Sequence, residues 1–505
     1  MPNTFAYVVL FTWPLVVVML FRVLPLRSAL VWSVVAGYLL LPLNTGFDLP
    51  VLPAVNKDLI LVGSAAIMCL LAARQQSLPF PRSSPGSTNS DGAFEFKVRQ
   101  GQPIFLGLLI VLFITPFITA LQNGAPIIIG DLYIPGLRLY DAFSMGLTLL
   151  VAILPFLLGR RYLASEDSSA IILRVLVLAA LAYSFLILYE VRMSPQLNRI
   201  FYGFFPHSWI QHVRGGSFRP LVFLPHGLVL AIFVATAFLS SLISWRLHKN
   251  DQSRTRWVIA ALLLFGLLVL CVSFGALALG LIFCPLILLL GRRGQLLLAA
   301  VLATIVLIYP IMRGGGLIPV DKIHEMVASI NQERAGSLQI RLDNEDRLLE
   351  RAREKPVAGW GSWGRNRVYD ETGKDISITD GYWVIVIGSL GWLGYLAQFG
   401  MLTLPTILLG LKRKQFDLTL STSGLALVLC VLLIDLLPNA SIGPLTWLIA
   451  GSMMGRFQTA RSRSESTAET QTQLLLADPL GSETDEAPKV LYRRSFGDRR
   501  TTKQE

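Results

Sequence analysis

Runs of about 16 to 24 apolar residues, separated by short charged segments, recur along most of this chain. A helix needs roughly 20 apolar residues to cross the hydrocarbon core of a bilayer, where its backbone polar groups must pair with one another because no water is present. Hydrophobic residues make up 53% of the chain and charged residues only 15%, which excludes an ordinary soluble domain. The sequence therefore predicts an all-α, polytopic membrane helix bundle of about 12 to 13 spans, centred near residues 14, 36, 65, 112, 149, 179, 233, 265, 284, 303, 396, 429 and 449.

The positions of the basic residues predict which loops share a side of the membrane. Alternate loops carry Lys and Arg, and the positive-inside rule makes these loops cytoplasmic: 22–27, 74–99, 160–161, 246–256, 292–293 and 412–414. The loops at 191–219 and 313–380 then lie on the outer face, although both are rich in arginine. We interpret this departure from the rule as an indication of function. The net charge of +12 is spread over loops in this way and does not predict a nucleic-acid partner.

The chain is expected to divide into a transmembrane bundle, two outer loops and two segments that have no catalytic or binding role. The bundle covers 1–456, and the outer loops cover 191–219 and 313–380, of which the second is expected to contain amphipathic helices with a bend at Gly336. A cytoplasmic connection at 74–102 is rich in Ser, Pro and Gly and is expected to be flexible. The polar tail at 457–505 is expected to be disordered.

Two arginines of the longer outer loop form the first candidate site. Arg334 and Arg341 are seven residues apart, which is two helical turns, so both point the same way on a continuous helix. Guanidinium groups bind phosphate oxygens bidentately, and two together suit a diphosphate. The alternative is a solvated helix in which the neighbouring Asp and Glu residues pair with the arginines along 341–354.

The shorter outer loop contributes a second group of candidates. Glu190 ends one apolar run, and Arg214, Arg219 and His226 precede the next. A charge near the hydrocarbon boundary is costly unless it faces protein or a wet cavity, so Glu190 and Arg219 are functional candidates. The alternatives are an interfacial histidine at 226 and a loop position without a ligand at 214.

The segment that leads out of the long loop supplies a candidate base. Asp380 precedes the next apolar run, and a carboxylate there can accept a proton from a sugar hydroxyl. Alternatively, Asp380 caps the following helix. Trp363, in the turn-forming segment GWGSWG, is a candidate for stacking on a sugar ring or for an interfacial aromatic belt.

These motifs resemble the superfamily of O-antigen ligases and polysaccharide polymerases. The pattern consists of an acid at the outer end of a span, RP followed by a PHG turn, AGSLQIR before AGWGSWG, and a polar pair entering a Gly-rich span, all between about residues 140 and 450. The ligases typically have a His-Asn pair where this chain has Asp380 and Gly381. This departure favours the polymerases within the superfamily.

The resemblance implies a bacterial inner-membrane glycosyltransferase that polymerises or ligates surface polysaccharide at the periplasmic face. It implies a polyprenyl-diphosphate-linked oligosaccharide donor and a glycan or lipid acceptor, with membrane lipids and other polysaccharide-assembly proteins as further partners. No metal and no cofactor are expected, and the reaction is expected to invert the sugar. The implied catalytic residues are Asp380, Arg219 and Arg341, and the implied substrate-binding residues are Arg334, Glu190, His226, Arg214 and Trp363.

Two other classes of function remain open at this stage. A transporter or flippase of lipid-linked oligosaccharides would use the arginines to hold a headgroup and needs no base. However, the charged candidates lie on one face, whereas alternating-access carriers usually bind near the midplane. A sensor with an outer ligand-binding loop would need an output domain, which the tail of about 50 residues does not supply.

Overall fold

The structure is a computed structural model that describes residues 1–48, 53–76, 102–214, 216–249, 252–317, 319–330 and 332–476. Contacts divide the chain into a compact unit over Met1–Ser462 and a second unit over Arg463–Glu505. Within the described residues, the first unit is a helix bundle with three small antiparallel hairpins. This confirms the predicted all-α bundle.

Helices account for most of the described residues. In chain order they are α1 (Thr4–Val23), α2 (Leu26–Leu40), α3 (Lys57–Gln76), α4 (Gln102–Gln122), α5 (Leu139–Tyr162), α6 (Glu166–Met193), α7 (Leu197–Tyr202), α8 (Gly227–Leu247), α9 (Arg254–Leu270), α10 (Phe274–Leu289), α11 (Arg292–Gly314), α12 (Val320–Ile330), α13 (Gln332–Arg353), α14 (Tyr382–Leu411), α15 (Leu420–Asp435) and α16 (Pro444–Leu476). The hairpins pair β1 (Gly46–Phe47) with β2 (Val55–Asn56), β3 (Ile127–Ile129) with β4 (Leu132–Ile134), and β5 (Val213–Arg214) with β6 (Ser217–Phe218).

Each predicted span centre lies in one of these helices. By length and composition, seven helices of the described part are apolar and long enough to cross a membrane: α1, α4, α5, α6, α8, α11 and α14. Three shorter apolar helices, α2, α10 and α15, accompany them. The chain is therefore a multi-pass membrane protein, and the higher count of 12 to 13 spans stays a prediction.

The loops gather at two ends of the bundle. At one end, which we call the site end, the two loops predicted to be outer meet the turns after α9 and α15, through hydrogen bonds from Arg219 to Val272 O and from Arg341 to Pro438 O. At the other end, three basic loops contact their neighbours through bonds from Arg292 to Leu418 O and from Arg246 to Leu290 O. The loops at 191–219 and 313–380 share this end, since Arg219 and Arg341 both act electrostatically on His226. That this end is the outer face stays a prediction.

Helix α14 is interrupted, and a segment of the long loop fills the gap. Gly391 has a φ of 64°, and a Cβ there would lie 2.3 Å from the carbonyl oxygen of Val357. The segment 356–361 (PVAGWG) before it runs alongside the interruption. It exchanges four backbone hydrogen bonds with α14, from Trp360 N to Gly388 O, Gly361 N to Ser389 O, Trp392 N to Pro356 O and Leu393 N to Val357 O, at 2.8 to 3.1 Å. A broken helix within a span requires such replacement partners, because no water can supply them.

The structure corrects two of the predicted boundaries. Gly336 does not end a helix, since α13 continues through it from Gln332 to Arg353, whereas α12 ends earlier, at Ile330. The tail is helical from 457 to Leu476, because α16 continues there through Ala, Arg, Glu and Gln residues that favour helix. The rest of the tail, 477–505, and most of the predicted flexible connection, 77–101, lie outside the described residues.

Candidate functional site

Arg341 of α13 occupies the centre of the site end. Its Nη1 donates to the carbonyl oxygen of Pro438 at 3.0 Å and reaches Asn439 Oδ1 at 3.4 Å. Its Nε lies 3.7 Å from Asp380 Oδ2, and it also interacts electrostatically with Asp435 at the end of α15. About a third of the Arg341 side chain is exposed, so the guanidinium keeps a solvent-facing edge beside its carboxylate partners.

Asp380 is held next to Arg341 and does not cap the following helix. The N-cap of α14 is Gly381, and the described cap makes no side-chain hydrogen bond. The φ of 84° at Gly381 turns the chain so that the Tyr382 N–H donates to the carbonyl oxygens of Leu436 and Asn439, both at 3.0 Å. The carboxylate of Asp380, 31% exposed, therefore faces Arg341 and open space.

Arg219 enters the site from the hairpin β5–β6. Its backbone N–H donates to His212 O at 2.8 Å and its Nη2 donates to Val272 O at 2.9 Å, so the side chain is largely buried. Gly227 provides the room, because a Cβ there would meet Arg219 Cγ at 2.4 Å. The glycine that follows His226 thus allows Arg219 to pack under the start of α8.

Three histidines pack against one another next to Arg219. The ring centroids of His207 and His226 are 4.7 Å apart, those of His212 and His226 5.0 Å, and those of His207 and His212 5.8 Å. His226 is the N-cap of α8, with Nδ1 accepting from the Leu228 N–H at 3.0 Å, so its Nε2 carries the proton of the neutral ring. His212 is fully buried, and its Nε2 has no hydrogen-bond partner among the described residues.

The two arginines from different loops converge on His226. Burial lowers its pKa to about 3, aided by the charges of His212, His207, Arg219 and Arg341. Burial also lowers the pKa of His212, and the positive charge of Arg219 lowers it further. A histidine whose pKa lies so low stays neutral, so the positive potential comes from the arginines while the imidazole supplies an N–H donor.

Glu190 has a structural role that the sequence did not indicate. Its Oε1 accepts from the Leu197 N–H at 2.9 Å, and its Oε2 accepts from the N–H groups of Leu221 and Val222 at 2.9 and 2.8 Å. The side chain is fully buried. Glu190 therefore ties the backbone around Arg219 to the end of α6 and offers no free oxygen to a ligand.

The remaining candidates are less tightly connected to this group. Arg334 lies on the same uninterrupted helix as Arg341, and Arg214 lies in β5, but their side chains fall outside what the structure describes. Trp363 has a φ of 58° and is 55% exposed, and no described contact joins it to Arg341 or Asp380. It is Trp360 that packs inward, with Arg351 lying 3.5 Å above its ring.

Sequence reasoning missed a second carboxylate beside Arg341. Asp435 ends α15, and its Oδ1 accepts from Asn439 Nδ2 at 2.8 Å. It lines a narrow cleft of about 20 Å3, partly open to solvent, together with Tyr38, Val229, Ile232, Phe233, Leu432, Leu436, Ser441, Gly443, Leu445 and Thr446. The signal was available, since an acid at the end of an apolar run is a functional candidate in a membrane protein. His207 and His212 had no such signal.

The site end contains no arrangement suited to a metal ion among the described residues, where no group of three or more His, Cys, Asp or Glu side chains could hold one. The site end instead combines three residues that can bind an anion, Arg219, Arg341 and His226, with two nearby carboxylates, Asp380 and Asp435. No protein-family model, no curated protein and no solved structure matches the chain.

Proposed function

We propose that this protein is a membrane glycosyltransferase that uses a polyprenyl-diphosphate-linked glycan and transfers it to a sugar hydroxyl, as a polymerase or ligase of bacterial surface polysaccharide. The observation that carries the proposal is that Asp380 Oδ2 lies 3.7 Å from Arg341 Nε, with Arg219 and Arg341 both near enough to His226 to lower its pKa. Cations and a carboxylate at one place suit a reaction in which a diphosphate leaves and a hydroxyl loses its proton.

The arginines would stabilise the leaving group. Negative charge grows on the diphosphate as the bond between the anomeric carbon and the phosphate oxygen breaks, and the electron pair of that bond goes to the oxygen. Guanidinium groups fixed in advance lower the energy of this charge without rearranging during the reaction. Arg219 is fixed by His212 O and Val272 O, and Arg341 by Pro438 O.

Asp380 would accept the proton of the attacking hydroxyl. The hydroxyl oxygen forms the new bond to the anomeric carbon from the side opposite the diphosphate, so the configuration is inverted and no covalent enzyme intermediate is needed. Arg341 Nε, 3.7 Å from Asp380 Oδ2, would hold the carboxylate in place. No metal or cofactor takes part in this scheme.

The active face would be periplasmic in a bacterial inner membrane. The basic loops at the end opposite the site are the ones that the positive-inside rule makes cytoplasmic. The apolar bundle would accommodate the polyprenyl tail, which keeps the diphosphate at the level of the site end. A carrier of lipid-linked glycans is less well supported, because its site is expected near the midplane rather than at one end.

The test is transfer by the purified protein in nanodiscs, with a synthetic polyprenyl-diphosphate oligosaccharide as donor and the free oligosaccharide as acceptor. The informative variants are Arg341→Ala and Asp380→Asn. Each has a matched control with an exposed residue of the same type on α13, Arg347→Ala and Asp343→Asn. Loss of one preorganised stabilising group typically costs about 100- to 1,000-fold in rate, so we expect such a loss only in the first pair.

Two results would contradict the proposal. Wild-type protein that moves a fluorescent lipid-linked glycan across vesicles without extending it would be a transporter. Equal transfer by Arg341→Ala and Arg347→Ala would leave a transferase whose diphosphate site lies elsewhere. Binding of inorganic diphosphate to the wild type, with at least about tenfold weaker binding by Arg341→Ala, would support the anion site without any turnover.

A further inference from the structure

The connection between α6 and α8 carries a group of exposed apolar side chains. Ile210 is 81% exposed, and Ile200, Phe201, Trp209 and Val213 are exposed as well. We call these residues the loop patch. Exposed apolar side chains that are grouped in this way indicate a contact with lipid or with another molecule.

The loop patch continues the exposed face of α1. Phe5, Val8, Leu15 and Met19 recur at helical spacing along this helix and are exposed. Because α1 is long and apolar enough to cross a membrane, we expect this face to contact acyl chains. The ring centroid of Phe5, at the start of α1, lies 6.5 Å from that of Phe201. A surface that suits lipid therefore extends from the span onto the loop.

A short 3-10 helix, Trp209–His212, joins this surface to the anion-binding residues. Its first residue, Trp209, is exposed, whereas its last, His212, is fully buried. The ring of Phe205 contacts both, with its centroid 5.2 Å from that of Trp209 and 5.4 Å from that of His212. The carbonyl oxygen of His212 accepts a hydrogen bond of 2.8 Å from the Arg219 N–H. The exposed apolar side chains and Arg219 are thus held by the same few residues.

This arrangement suits the chemistry of a polyprenyl diphosphate. In such a lipid the first isoprene unit is bonded directly to the diphosphate, so a protein that binds both parts must place an apolar surface beside its cations. Isoprene units are branched hydrocarbon, and contact with aliphatic and aromatic side chains removes their surface from water. Inorganic diphosphate has no hydrocarbon and would gain nothing from exposed apolar residues at this place.

We propose that the loop patch binds the tail of a polyprenyl-diphosphate lipid, at the isoprene units next to the diphosphate, with Arg219 and His226 beside the diphosphate itself. The inference rests on the proposed function, for which it names the surface that holds the donor lipid. It also gives the direction from which the donor arrives, which is from the bilayer along α1.

A second exposed apolar surface at another hairpin provides the control. Ile128 of β3 is 68% exposed and Tyr133 of β4 is 64% exposed. This hairpin packs against a different segment, because a Cβ on Gly130 would lie 2.7 Å from the carbonyl oxygen of Glu371. Ile128→Ser therefore removes an exposed isoleucine without altering the loop patch, whereas Ile210→Ser removes one from it.

The first measurement is photo-crosslinking of the full chain in nanodiscs, which needs no turnover. The probe is a polyprenyl diphosphate with a diazirine in the isoprene unit next to the diphosphate, and mass spectrometry identifies the labelled peptides. We expect labelling within 200–213 that excess unlabelled polyprenyl diphosphate suppresses and excess phosphatidylglycerol does not. Ile210→Ser should weaken probe binding about tenfold, as for the lost burial of one apolar side chain, and Ile128→Ser should not.

The second measurement separates the tail from the headgroup. Binding of inorganic diphosphate should be the same in wild type and Ile210→Ser, because the substituted side chain contacts hydrocarbon only. In the transfer assay the KM for the lipid-linked donor should rise about tenfold in Ile210→Ser, with kcat unchanged. Ile210 is largely exposed, so the variant should melt at the temperature of wild type.

Three results would overturn the tail surface. Labelling that phosphatidylglycerol suppresses equally well would mean that the loop patch contacts ordinary membrane lipids. Labelling outside 200–213, or labelling that Ile210→Ser leaves unchanged, would place the tail elsewhere. Weaker binding of inorganic diphosphate by Ile210→Ser would mean that the residue acts on the headgroup.

The two proposals can fail separately. Specific labelling of 200–213 in a protein that transfers no glycan would support the tail surface and overturn the transferase. Normal transfer by wild type and Ile210→Ser, without labelling of 200–213, would overturn the tail surface and leave the transferase.

Discussion

Asn344 of α13 accepts, through Oδ1, a hydrogen bond of 2.8 Å from the backbone N–H of Ile378. This bond joins the long helix of the outer loop to the short extended segment that ends at Asp380. Arg341, almost one turn earlier on the same helix, contacts Asp380 itself. Helix α13 therefore holds the segment that carries Asp380 in two ways. Asn344 binds the backbone of that segment at Ile378, and Arg341 contacts the Asp380 carboxylate.

Asn344→Ala should displace Asp380 and lower stability. Asn344 is 7% exposed and its bond to the Ile378 N–H is partly buried, so the loss of this bond should cost about 0.5 to 1.5 kcal/mol. We expect a lower melting temperature in detergent and a reduced transfer rate. Gln339→Ala, which removes an exposed amide from the same helix, is the control and should change neither quantity. Identical melting of the two variants would mean that the bond to Ile378 contributes nothing.

Glu345 should make stability decrease as pH rises. Burial raises its pKa to about 7 against the opposing charge of Arg313. Because this folded-state pKa exceeds the ordinary glutamate value of 4.5, the native protein binds the proton more tightly than the unfolded chain. The contribution of Glu345 to stability is therefore fully present below about pH 4.5 and is lost as pH rises to about 7, by on the order of 3 kcal/mol at 1.36 kcal/mol per pKa unit.

The measurement is the melting temperature of wild type and Glu345→Gln between pH 5 and about 8. The variant should lose most of this pH dependence, whereas Glu350→Gln, at an exposed position of the same helix, should behave as wild type. Parallel curves for wild type and Glu345→Gln would show that another group titrates.

His226 should have the opposite effect at low pH. Its pKa is lowered from 6.5 to about 3, and burial is the largest cause. The unfolded chain therefore binds the proton more readily than the native protein does. The stability contribution is present above pH 6.5 and is lost progressively as pH falls towards about 3. His226→Asn keeps an N-cap acceptor and removes the titration, so it should resist acid better than wild type. His324→Asn, on α12, is the control, and equal acid sensitivity of wild type and His226→Asn would contradict the assignment.

Gly391→Ala should be among the most damaging single changes in the bundle. The residue has a φ of 64°, and the new Cβ would lie 2.3 Å from Val357 O. The strain and the loss of backbone pairing predict a destabilisation of at least about 2 kcal/mol. Gly266→Ala is the matched control within a helix, because a Cβ there meets nothing within 4 Å. Comparable expression and melting of both variants would show that the interruption can close.

The bundle was predictable because the requirement that produces it is local. Each apolar run must form its own hydrogen bonds in the membrane, so helix positions follow from composition. The site followed only in part. Residue type and position predict Arg219, Arg341 and Asp380, which stay candidates, but the same reasoning also selects Glu190, which instead accepts hydrogen bonds from three backbone amides. Whether a buried acid faces a ligand or a backbone N–H depends on segments distant in sequence, which a single sequence does not reveal.

The interruption of α14 has a consequence for biogenesis. A helix broken at Gly391 enters the bilayer with unpaired amides and carbonyls, which are costly in hydrocarbon. Its hydrogen-bond partners at 356–361 precede it in the chain and leave the ribosome earlier, and Thr119 and Asn123 of α4 bind that segment through Ala358 O and Gly359 O. The newly made segment can therefore be held against α4 before α14 is synthesised. Helix α14 then completes its insertion by forming backbone hydrogen bonds with this segment.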